Sequence, residues 1–371
     1  MEIIIISSSL LISVLLNILF QRQFLKRNIL DKINNRSSHN AIASRSGGIS
    51  VFTSLFIISF YHYLAGIEIF DFSFLVPLAL LLVIGLYDDV YKLDFKLKFI
   101  FQIIAAKIII DYGLVIDNFH GLFGIYELNR VFAQMLTMFV IVSFINAINF
   151  IDGIDGLAIS IIIMFLSMFE FFSNSSSDFI ILTTILISSL IPLYYFNFKK
   201  DKKVFLGDSG SLFLGGVVSI YVIHILSQEY IIKESYDLHK IIFVISILFY
   251  PIVDIVRVVF KRLIDGKSPF EADKNHLHHL LISKIVNSLY WLGVSVTSVI
   301  CFFASDELPV TKESMFVVVP AERINFLPMI KLFKSTVAPS FTIELFVEPL
   351  LLIVTNGMWS FEFTKLIYSV A

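Results

Sequence analysis

Long runs of apolar residues, separated by short polar segments, make up most of this 371-residue sequence. An α-helix needs about 20 such residues to cross a hydrocarbon core of roughly 30 Å. The pattern therefore predicts ten membrane-spanning helices, although several of the runs are shorter than this length. Their approximate ranges are 1–20, 48–66, 72–87, 97–116, 131–147, 157–172, 179–196, 210–226, 240–260 and 286–304.

The pattern changes after the tenth run. A weak eleventh candidate span near 341–355 is interrupted by Glu344, Glu348 and Pro349. We predict an all-α polytopic membrane protein with ten or eleven transmembrane helices and an active site formed by the connecting loops. Residues 1–284 would form the membrane-embedded core, and residues 285–371 would form one further span and a divergent C-terminal tail.

Composition supports a membrane protein. Hydrophobic residues account for 57% of the chain and charged residues for 16%, against about 25% charged residues in soluble domains. The mean hydropathy is +0.86. The single cysteine, Cys301, excludes an internal disulfide framework and a cysteine-based zinc site. The first run lacks a preceding basic residue and a small-residue cleavage site, so we expect a retained span rather than a signal peptide.

Lysine and arginine are concentrated in the connections that follow the odd-numbered runs. The connections after the even-numbered runs offer only Arg130, Lys233 and Lys240. The positive-inside rule therefore places the odd-numbered connections in the cytoplasm and the N-terminus outside. The same connections contain all the polar clusters with candidate chemistry, which predicts one shared cytoplasmic site.

Carboxylates and amides recur in three of these connections. The third, fifth and seventh connections contribute, in order, Asp88 and Asp89; Asn146, Asn149, Asp152 and Asp155; and Asp208. Steps of three residues place side chains on one side of a helical turn. Carboxylates bind Mg²⁺ together with substrate phosphates. Asp208 lies at a predicted helix start, a position at which backbone N–H groups favour the binding of an anion. Turn and cap chemistry is the alternative interpretation of each cluster taken alone.

Two further clusters carry cationic groups. In the first connection, Arg36 and Arg45 precede the pair Gly47-Gly48, an arrangement that suits a phosphate but also fits an ordinary basic loop. The ninth connection contains three histidines, His276, His278 and His279. Such a group binds a transition metal or donates hydrogen bonds to phosphate oxygens.

Together these clusters predict phosphoryl-group chemistry. The acids would hold Mg²⁺, which neutralises a diphosphate, while arginine and histidine would compensate the remaining phosphate charge. The asparagine side chains suit a sugar or a nucleoside, and the membrane body suits a lipid. We infer a nucleotide-linked donor and an acceptor that resides in the membrane.

Five motifs resemble those of the polyprenyl-phosphate N-acetylhexosamine-1-phosphate transferases of glycosyltransferase family 4. Four of them are GLYDDVYKLD (85–94), NAINFIDGIDGLA (146–158), VFLGDSGSLFLGG (204–216) and SPFEADKNHLHHLL (268–281). The fifth is the first connection, with its arginines and glycine pair. The resemblance covers residues 1–284. The C-terminal tail does not resemble the family. Residues 41–44 also differ, because the family usually has prolines there, near the glycine pair.

The resemblance implies a reaction and a set of partners. A UDP-N-acetylhexosamine would give its sugar 1-phosphate to undecaprenyl phosphate in the bacterial plasma membrane, releasing UMP and initiating a surface glycan such as O-antigen or teichoic acid. Mg²⁺ would be required, with Mn²⁺ as a substitute. A homodimer is implied, and a nucleic-acid partner is not.

The resemblance also implies roles for individual residues, and the assignments fall into three groups. The catalytic group is Asp88, Asp89, Asp155 and His278. The substrate-binding group is Arg45, Asn146, Asn149, Phe205, His276 and His279. The metal ligands are Asp208 and Asp152.

Three other functions are alternatives on the sequence alone. The first is a phosphotransferase that uses the pentapeptide-bearing muramoyl donor of peptidoglycan synthesis. The second is a transporter with an acidic cytoplasmic vestibule, although transporters usually place such acids near the membrane midplane and contain internal repeats. The third is a non-catalytic scaffold. The sequence does not distinguish between N-acetyl sugar donors.

Overall fold

The structure is a computed structural model. It describes residues 2–31, 43–67, 69–119, 121, 124–172, 177–199, 202–227, 240–266, 314–318, 342–347, 350–355 and 358–362. The chain divides into two units, Met1–Leu280 and Leu281–Ala371. The predicted boundary at residue 284 and the predicted tenth span at 286–304 lie outside the described residues.

The first unit consists mainly of α-helices, and each of the first eight predicted runs corresponds to one helix. A 3₁₀ turn at Phe72–Phe74 leads into the third of them. The helices are α1 (Glu2–Lys26), α2 (Gly47–Leu64), α3 (Leu75–Tyr91), α4 (Phe95–Asp111), α5 (Arg130–Ile151), α6 (Leu157–Phe172), α7 (Ser177–Asn197), α8 (Gly207–Ser227), α9 (Lys240–Ile247) and α10 (Phe249–Ile264).

Six of the described helices are long and apolar enough to cross a membrane. They are α1, α2, α3 with its preceding turn, α5, α7 and α8. By contrast, α4 has 17 residues and α6 has 16. At 1.5 Å per residue these two helices reach only about 25 Å, which is short of a hydrocarbon core of roughly 30 Å. The chain is a mostly helical membrane protein, and the predicted count of ten or eleven spans is not confirmed.

The ninth apolar run does not form one straight helix. Its two parts, α9 and α10, meet at Leu248 with a bend of 79°. Pro251 explains part of the break, because its ring nitrogen has no hydrogen to donate to the carbonyl of Ile247. The buried residues of α10 include Asp254 and Arg262. The apolar run predicted at 240–260 therefore forms a bent pair of helices rather than one straight helix.

Helix α8 lies at the centre of the first unit and is buried along almost its whole length. Small residues allow the neighbouring backbones to approach it closely. A Cβ atom added to Gly48 of α2 would lie 2.1 Å from the backbone nitrogen of Gly210. A Cβ atom added to Gly215 would lie 2.7 Å from the Cα atom of Ile145 in α5. The start of α8 is consequently fixed against α2, and its middle against α5.

A small sheet joins the connections that precede α2 and α8. Strand β2 (Ala43–Ser44) pairs antiparallel with β1 (Leu30–Asp31) and parallel with β3 (Lys203–Val204). The ladder continues into the loops, where the N–H of Gly47 donates to the carbonyl of Phe205 and the N–H of Gly48 donates to that of Leu206, both at 2.9 Å. The first turns of α2 and α8 therefore begin side by side.

The second unit contains a four-stranded sheet. Its strands are β4 (Ser314–Val318), β5 (Thr342–Val347), β6 (Leu350–Thr355) and β7 (Met358–Glu362), in that order across the sheet. The β4–β5 pair is parallel and the other two pairs are antiparallel. The weak eleventh span thus forms two strands, and the all-α prediction was wrong for this unit. The alternation of Thr342 and Glu344 with Ile343 and Leu345 has the period of two that favours a strand.

Candidate active site

Helix ends from four elements meet at one end of the first unit. Helices α3 and α5 end there, and α4 and α8 begin there. Side chains from all four of these helix ends contact one another, as the hydrogen bonds and ion pairs below show. The structure therefore brings together polar clusters from the first, third, fifth and seventh connections of the sequence.

Asp89, in the last turn of α3, caps the first turn of α8. Its Oδ1 atom accepts a hydrogen bond from the N–H of Asp208 at 2.9 Å, and its Oδ2 atom accepts one from the N–H of Ser209 at 3.0 Å. These N–H groups have no partner within α8, and the helix dipole favours a negative charge beside them. The Arg45 guanidinium lies 3.3 Å from the same carboxylate, whose side chain is fully buried.

Gly85 lies one turn before Asp89 on α3 and faces the same part of α8. A Cβ atom at this position would lie 2.4 Å from the carbonyl oxygen of Asp208 and 2.6 Å from the Cα atom of Ser209. Gly207, which precedes Asp208, has a φ of +73° that a residue with a side chain rarely adopts. Glycine at both positions therefore lets the backbone at Asp208 lie directly against α3.

Lys98 places a positive charge between two carboxylates. Its Nζ atom lies 2.5 Å from Oδ2 of Asp88 and 3.5 Å from Oδ2 of Asp208, and its side chain is only 13% exposed. The other oxygen of Asp88 accepts a hydrogen bond from the N–H of Leu93 at 2.6 Å. Asp88, at the end of α3, and Asp208, at the start of α8, thus share one cation.

Sequence reasoning missed Lys98. The positive-inside rule is a sufficient explanation for lysines in this part of the sequence, so the sequence alone assigns Lys98 no role in the site. A signal was nevertheless present, because position 98 falls inside the apolar run predicted at 97–116. A charged residue within such a run is costly and is usually paired or functional.

Asn149, in the last turn of α5, holds the other oxygen of Asp208. Its Nδ2 atom donates to Oδ1 of Asp208 at 2.7 Å and to Oγ of Ser211 at 2.7 Å. Asp208 is therefore held from two sides, through Oδ1 by α5 and through Oδ2 by Lys98 of α4. Its side chain remains 27% exposed, so it is accessible from solvent.

Asp152 and Asp155 lie in the turn between α5 and α6. Asp152 is half-buried. Burial, and after it the carboxylates of Asp208 and Asp89, raise the pKa of Asp152 well above its usual range. The part of this shift that comes from Asp208 and Asp89 reflects neighbouring negative charge, which a bound cation would offset. Asp155 instead forms an ion pair with Lys203 of β3.

Comparisons with known proteins identify the family of this chain. A sequence profile described as glycosyl transferase family 4 matches residues 71–226, which run from the turn before α3 to the end of α8. A "Probable undecaprenyl-phosphate N-acetylglucosaminyl 1-phosphate transferase" from Bacillus subtilis (strain 168) is 33% identical over 287 residues, or 74% of this chain and 75% of the relative. The chain belongs to glycosyl transferase family 4. The family predicted from the motifs is thus confirmed.

Other relatives carry similar names. An undecaprenyl-phosphate α-N-acetylglucosaminyl 1-phosphate transferase from Salmonella typhi is 27% identical over 267 residues, covering 70% of each chain. A decaprenyl-phosphate N-acetylglucosaminephosphotransferase from Mycobacterium leprae (strain TN) is 28% identical over 245 residues, covering 59% of this chain and 61% of the relative. These names agree on an N-acetylglucosaminyl phosphate donor group and a polyprenyl phosphate.

Asn146 and Phe205 were expected to bind substrate, and in the structure both make hydrogen bonds within the protein. Asn146 is buried and exchanges hydrogen bonds with Gln102 of α4, so the structure places its amide between helices. Phe205 is half-buried and its backbone extends the small sheet, with its N–H donating to the carbonyl of Ser44 at 2.8 Å. Arg36 and the predicted site histidines His276, His278 and His279 lie outside the described residues.

The described residues fit Mg²⁺ bound jointly with substrate. Within the described ranges, no three carboxylate, imidazole or thiolate side chains gather closely enough to hold an ion without further ligands. Asp88 and Asp208 nevertheless already share the Lys98 cation, and Asp152 adds a third carboxyl group near Asp208. Mg²⁺ is commonly bound in this way, by one or two carboxylates with substrate phosphates and water completing its coordination.

Proposed function

We propose that this protein transfers N-acetylglucosamine 1-phosphate from UDP-N-acetylglucosamine to undecaprenyl phosphate. The product lipid would start a surface glycan. One structural observation carries the proposal: Asp88, Lys98, Asn149 and Asp208, from four different helices, form a connected polar cluster at adjoining helix ends. The names of the relatives favour the N-acetylglucosamine donor over the pentapeptide-bearing muramoyl donor.

The reaction exchanges one phosphoanhydride bond for another. A phosphate oxygen of the lipid attacks the phosphorus that carries the sugar. The bond from that phosphorus to the bridging oxygen then breaks, and UMP leaves with that oxygen. Both reactants are anions, so the site has to offset negative charge while it holds the two phosphates in line.

Each residue of the cluster has a distinct task in this proposal. Asp208 and Asp88 would hold Mg²⁺, with Asp152 beside them. When bound, Mg²⁺ supplies Lewis-acid stabilisation of the charge that develops on the departing phosphate. Asn149 orients the Asp208 carboxylate through its hydrogen bond. Lys98 compensates the negative charge of Asp88 and Asp208 and supplies a cation to the incoming phosphates.

The site would face the cytoplasm, where nucleotide sugars are made. This orientation follows from the excess of lysine and arginine in the connections at this end of the helices. The enzyme would then take a soluble donor from the cytoplasm and a lipid acceptor from the bacterial plasma membrane. The homodimer implied by the family resemblance remains a prediction.

Transfer of labelled sugar phosphate into lipid tests the proposal. Membranes containing the protein are incubated with undecaprenyl phosphate and radiolabelled UDP-N-acetylglucosamine, and lipids are then extracted. We expect label in the lipid with Mg²⁺ and none with EDTA. Asp208→Asn should abolish the product. Asp111→Asn is a matched control, because this exposed acid lies in the last turn of α4, away from the site, and pairs only with Lys107 in the described contacts.

The same assay separates the alternatives. Competition by unlabelled UDP-N-acetylgalactosamine or by the muramoyl pentapeptide donor would identify a different sugar. Uptake of label into proteoliposomes without a lipid product would favour a transporter. Absence of labelled lipid with every UDP-N-acetylhexosamine would contradict the proposed reaction.

A further inference from the structure

A pair of buried amide side chains joins α4 to α5 beneath the site. Nδ2 of Asn146 donates to Oε1 of Gln102 at 2.8 Å, and Nε2 of Gln102 donates to Oδ1 of Asn146 at 3.3 Å. The second hydrogen on Nδ2 of Asn146 goes to the carbonyl of Val142 at 2.8 Å. Gln102 is fully buried and Asn146 is 6% exposed. Both donors of Asn146 are therefore used within the protein, and its amide has no hydrogen left for a sugar or a phosphate.

The amide pair lies one helical turn from both groups that hold Asp208. Lys98 precedes Gln102 by four residues on α4, and Asn149 follows Asn146 by three residues on α5. Side chains at these separations lie on the same face of a helix, about 6 Å and about 4.5 Å apart along its axis. The contacts agree with this geometry, since Lys98 reaches Oδ2 of Asp208 and Asn149 reaches its Oδ1.

We propose that Gln102 is a positioning residue that acts through Asn146. The reciprocal hydrogen bonds set the register of α4 against α5, so that Lys98 and Asn149 meet the two oxygens of the same carboxylate. A sliding movement of either helix would break the pair and leave buried amide groups without partners, which is unfavourable. This inference rests on the proposed transferase activity only for its kinetic test.

The positioning role differs from two simpler roles in what it predicts. If Asn146 bound the donor, its variants would raise the KM for the donor, and Gln102 variants would have much weaker effects. If the pair only stabilised the fold, its variants would lower thermal stability without changing kcat for the folded fraction. If the pair sets the register, both residues control kcat, and they do so together.

Four variants separate these roles: Gln102→Leu, Asn146→Leu, the double Leu variant, and the exchange Gln102→Asn with Asn146→Gln. Each single variant removes the two hydrogen bonds between the side chains and leaves buried polar atoms of the remaining amide without those partners, so we expect lower melting temperatures and a kcat reduced by about 10-fold or more. The KM for UDP-N-acetylglucosamine should stay within about twofold of its original value.

The double variants provide the decisive comparison. The double Leu variant removes both amides, so its melting temperature should recover relative to the single variants while its kcat stays low. The exchanged pair retains two complementary amides and should recover part of the kcat. Ser13→Ala is the matched control, because Ser13 donates a buried hydrogen bond from α1 to the carbonyl of Ser189 in α7 at 2.7 Å, between helices without site residues. It should lower stability slightly and leave kcat unchanged.

Two outcomes would overturn the inference. One is wild-type kcat in the double Leu variant, which would show that the amides are not needed for alignment. The other is a raised KM in Asn146→Leu without a change in kcat, which would show direct donor contact. Failure of the transferase proposal would appear separately, as absence of product from the unmodified protein. The coupling of the two residues in thermal stability would still be measurable in that case.

Discussion

Replacing Gly85 with alanine tests whether the contact between α3 and α8 sets the position of Asp208. The new Cβ atom would lie 2.4 Å from the carbonyl oxygen of Asp208, whereas ordinary van der Waals contact begins at 3.4 Å. The obstructing atoms belong to the backbone of Asp208 and Ser209, so no side-chain rotation can relieve the overlap. The two helices would have to separate locally by about 1 Å.

This displacement acts on both stability and activity. Overpacking of this kind costs about 1–3 kcal/mol, and a misplacement of about 1 Å at a reacting centre can reduce the rate about 100-fold. Separation of the helices would also lengthen the hydrogen bonds from the N–H groups of Asp208 and Ser209 to Asp89. We therefore expect Gly85→Ala to fold in detergent with a lower melting temperature and to lose most of its transferase activity.

Gly216→Ala is a matched control for this experiment. It lies in the same pair of helices, and its added Cβ atom would lie 2.5 Å from Cδ1 of Leu81 and 3.0 Å from Cδ2 of Leu78. These are the ends of flexible side chains, two turns of α8 away from Asp208, so they can adjust without moving the backbone. Lipid-product assays and thermal unfolding should show a loss of activity for Gly85→Ala that greatly exceeds the loss for the control. Wild-type kcat in Gly85→Ala would refute the reasoning.

Three further predictions concern residues around the same helix ends. Lys98→Met should reduce the lipid-product rate about 10-fold or more, since hydrogen bonds to charged groups contribute about 1.5–3 kcal/mol; unchanged turnover would remove Lys98 from the site. Asp89→Ala should lower the free energy of unfolding by about 0.5–2 kcal/mol through the lost cap on α8, measured by thermal unfolding; an unchanged midpoint would contradict this. Lys92→Gly should raise the thermal midpoint, because Lys92 has a φ of +55°. That conformation costs about 1–2 kcal/mol for a residue with a side chain. A lower midpoint would argue against backbone strain at this position.

The sequence predicted the helical part of the fold well. Runs of apolar residues identified α1 to α8, because burial in a membrane or in a helical core requires such runs whatever the detailed packing. The break between α9 and α10 was missed because most residues up to position 260 are apolar on both sides of it, and Pro251 was not interpreted as an interruption. The sheet at β5 and β6 was missed because hydropathy alone does not distinguish a short apolar helix from a strand.

The candidate site was predictable in its residue types and only partly in its contacts. The motifs identified Asp88, Asp89, Asn149 and Asp208, which do lie together. Their partners were hidden because they lie far apart in the chain, as Asp89 does from the N–H groups that it caps at the start of α8. The role of Asn146 shows the same limit. An asparagine within a polar motif suggests a ligand contact, whereas the structure shows that its amide hydrogens go to Gln102 of α4 and to the carbonyl of Val142 in its own helix.

The capping of α8 by Asp89 has a consequence for biosynthesis. The two partners are about 120 positions apart, so the ribosome releases the end of α3 long before it has made the start of α8. During that interval Asp88 and Asp89 lack the N–H donors at the start of α8. The α8 backbone that later packs against Gly85 is also absent. The reaction centre therefore assembles only after translation has passed the first turn of α8, and a nascent chain arrested before that point would contain most of the acidic motifs yet remain inert.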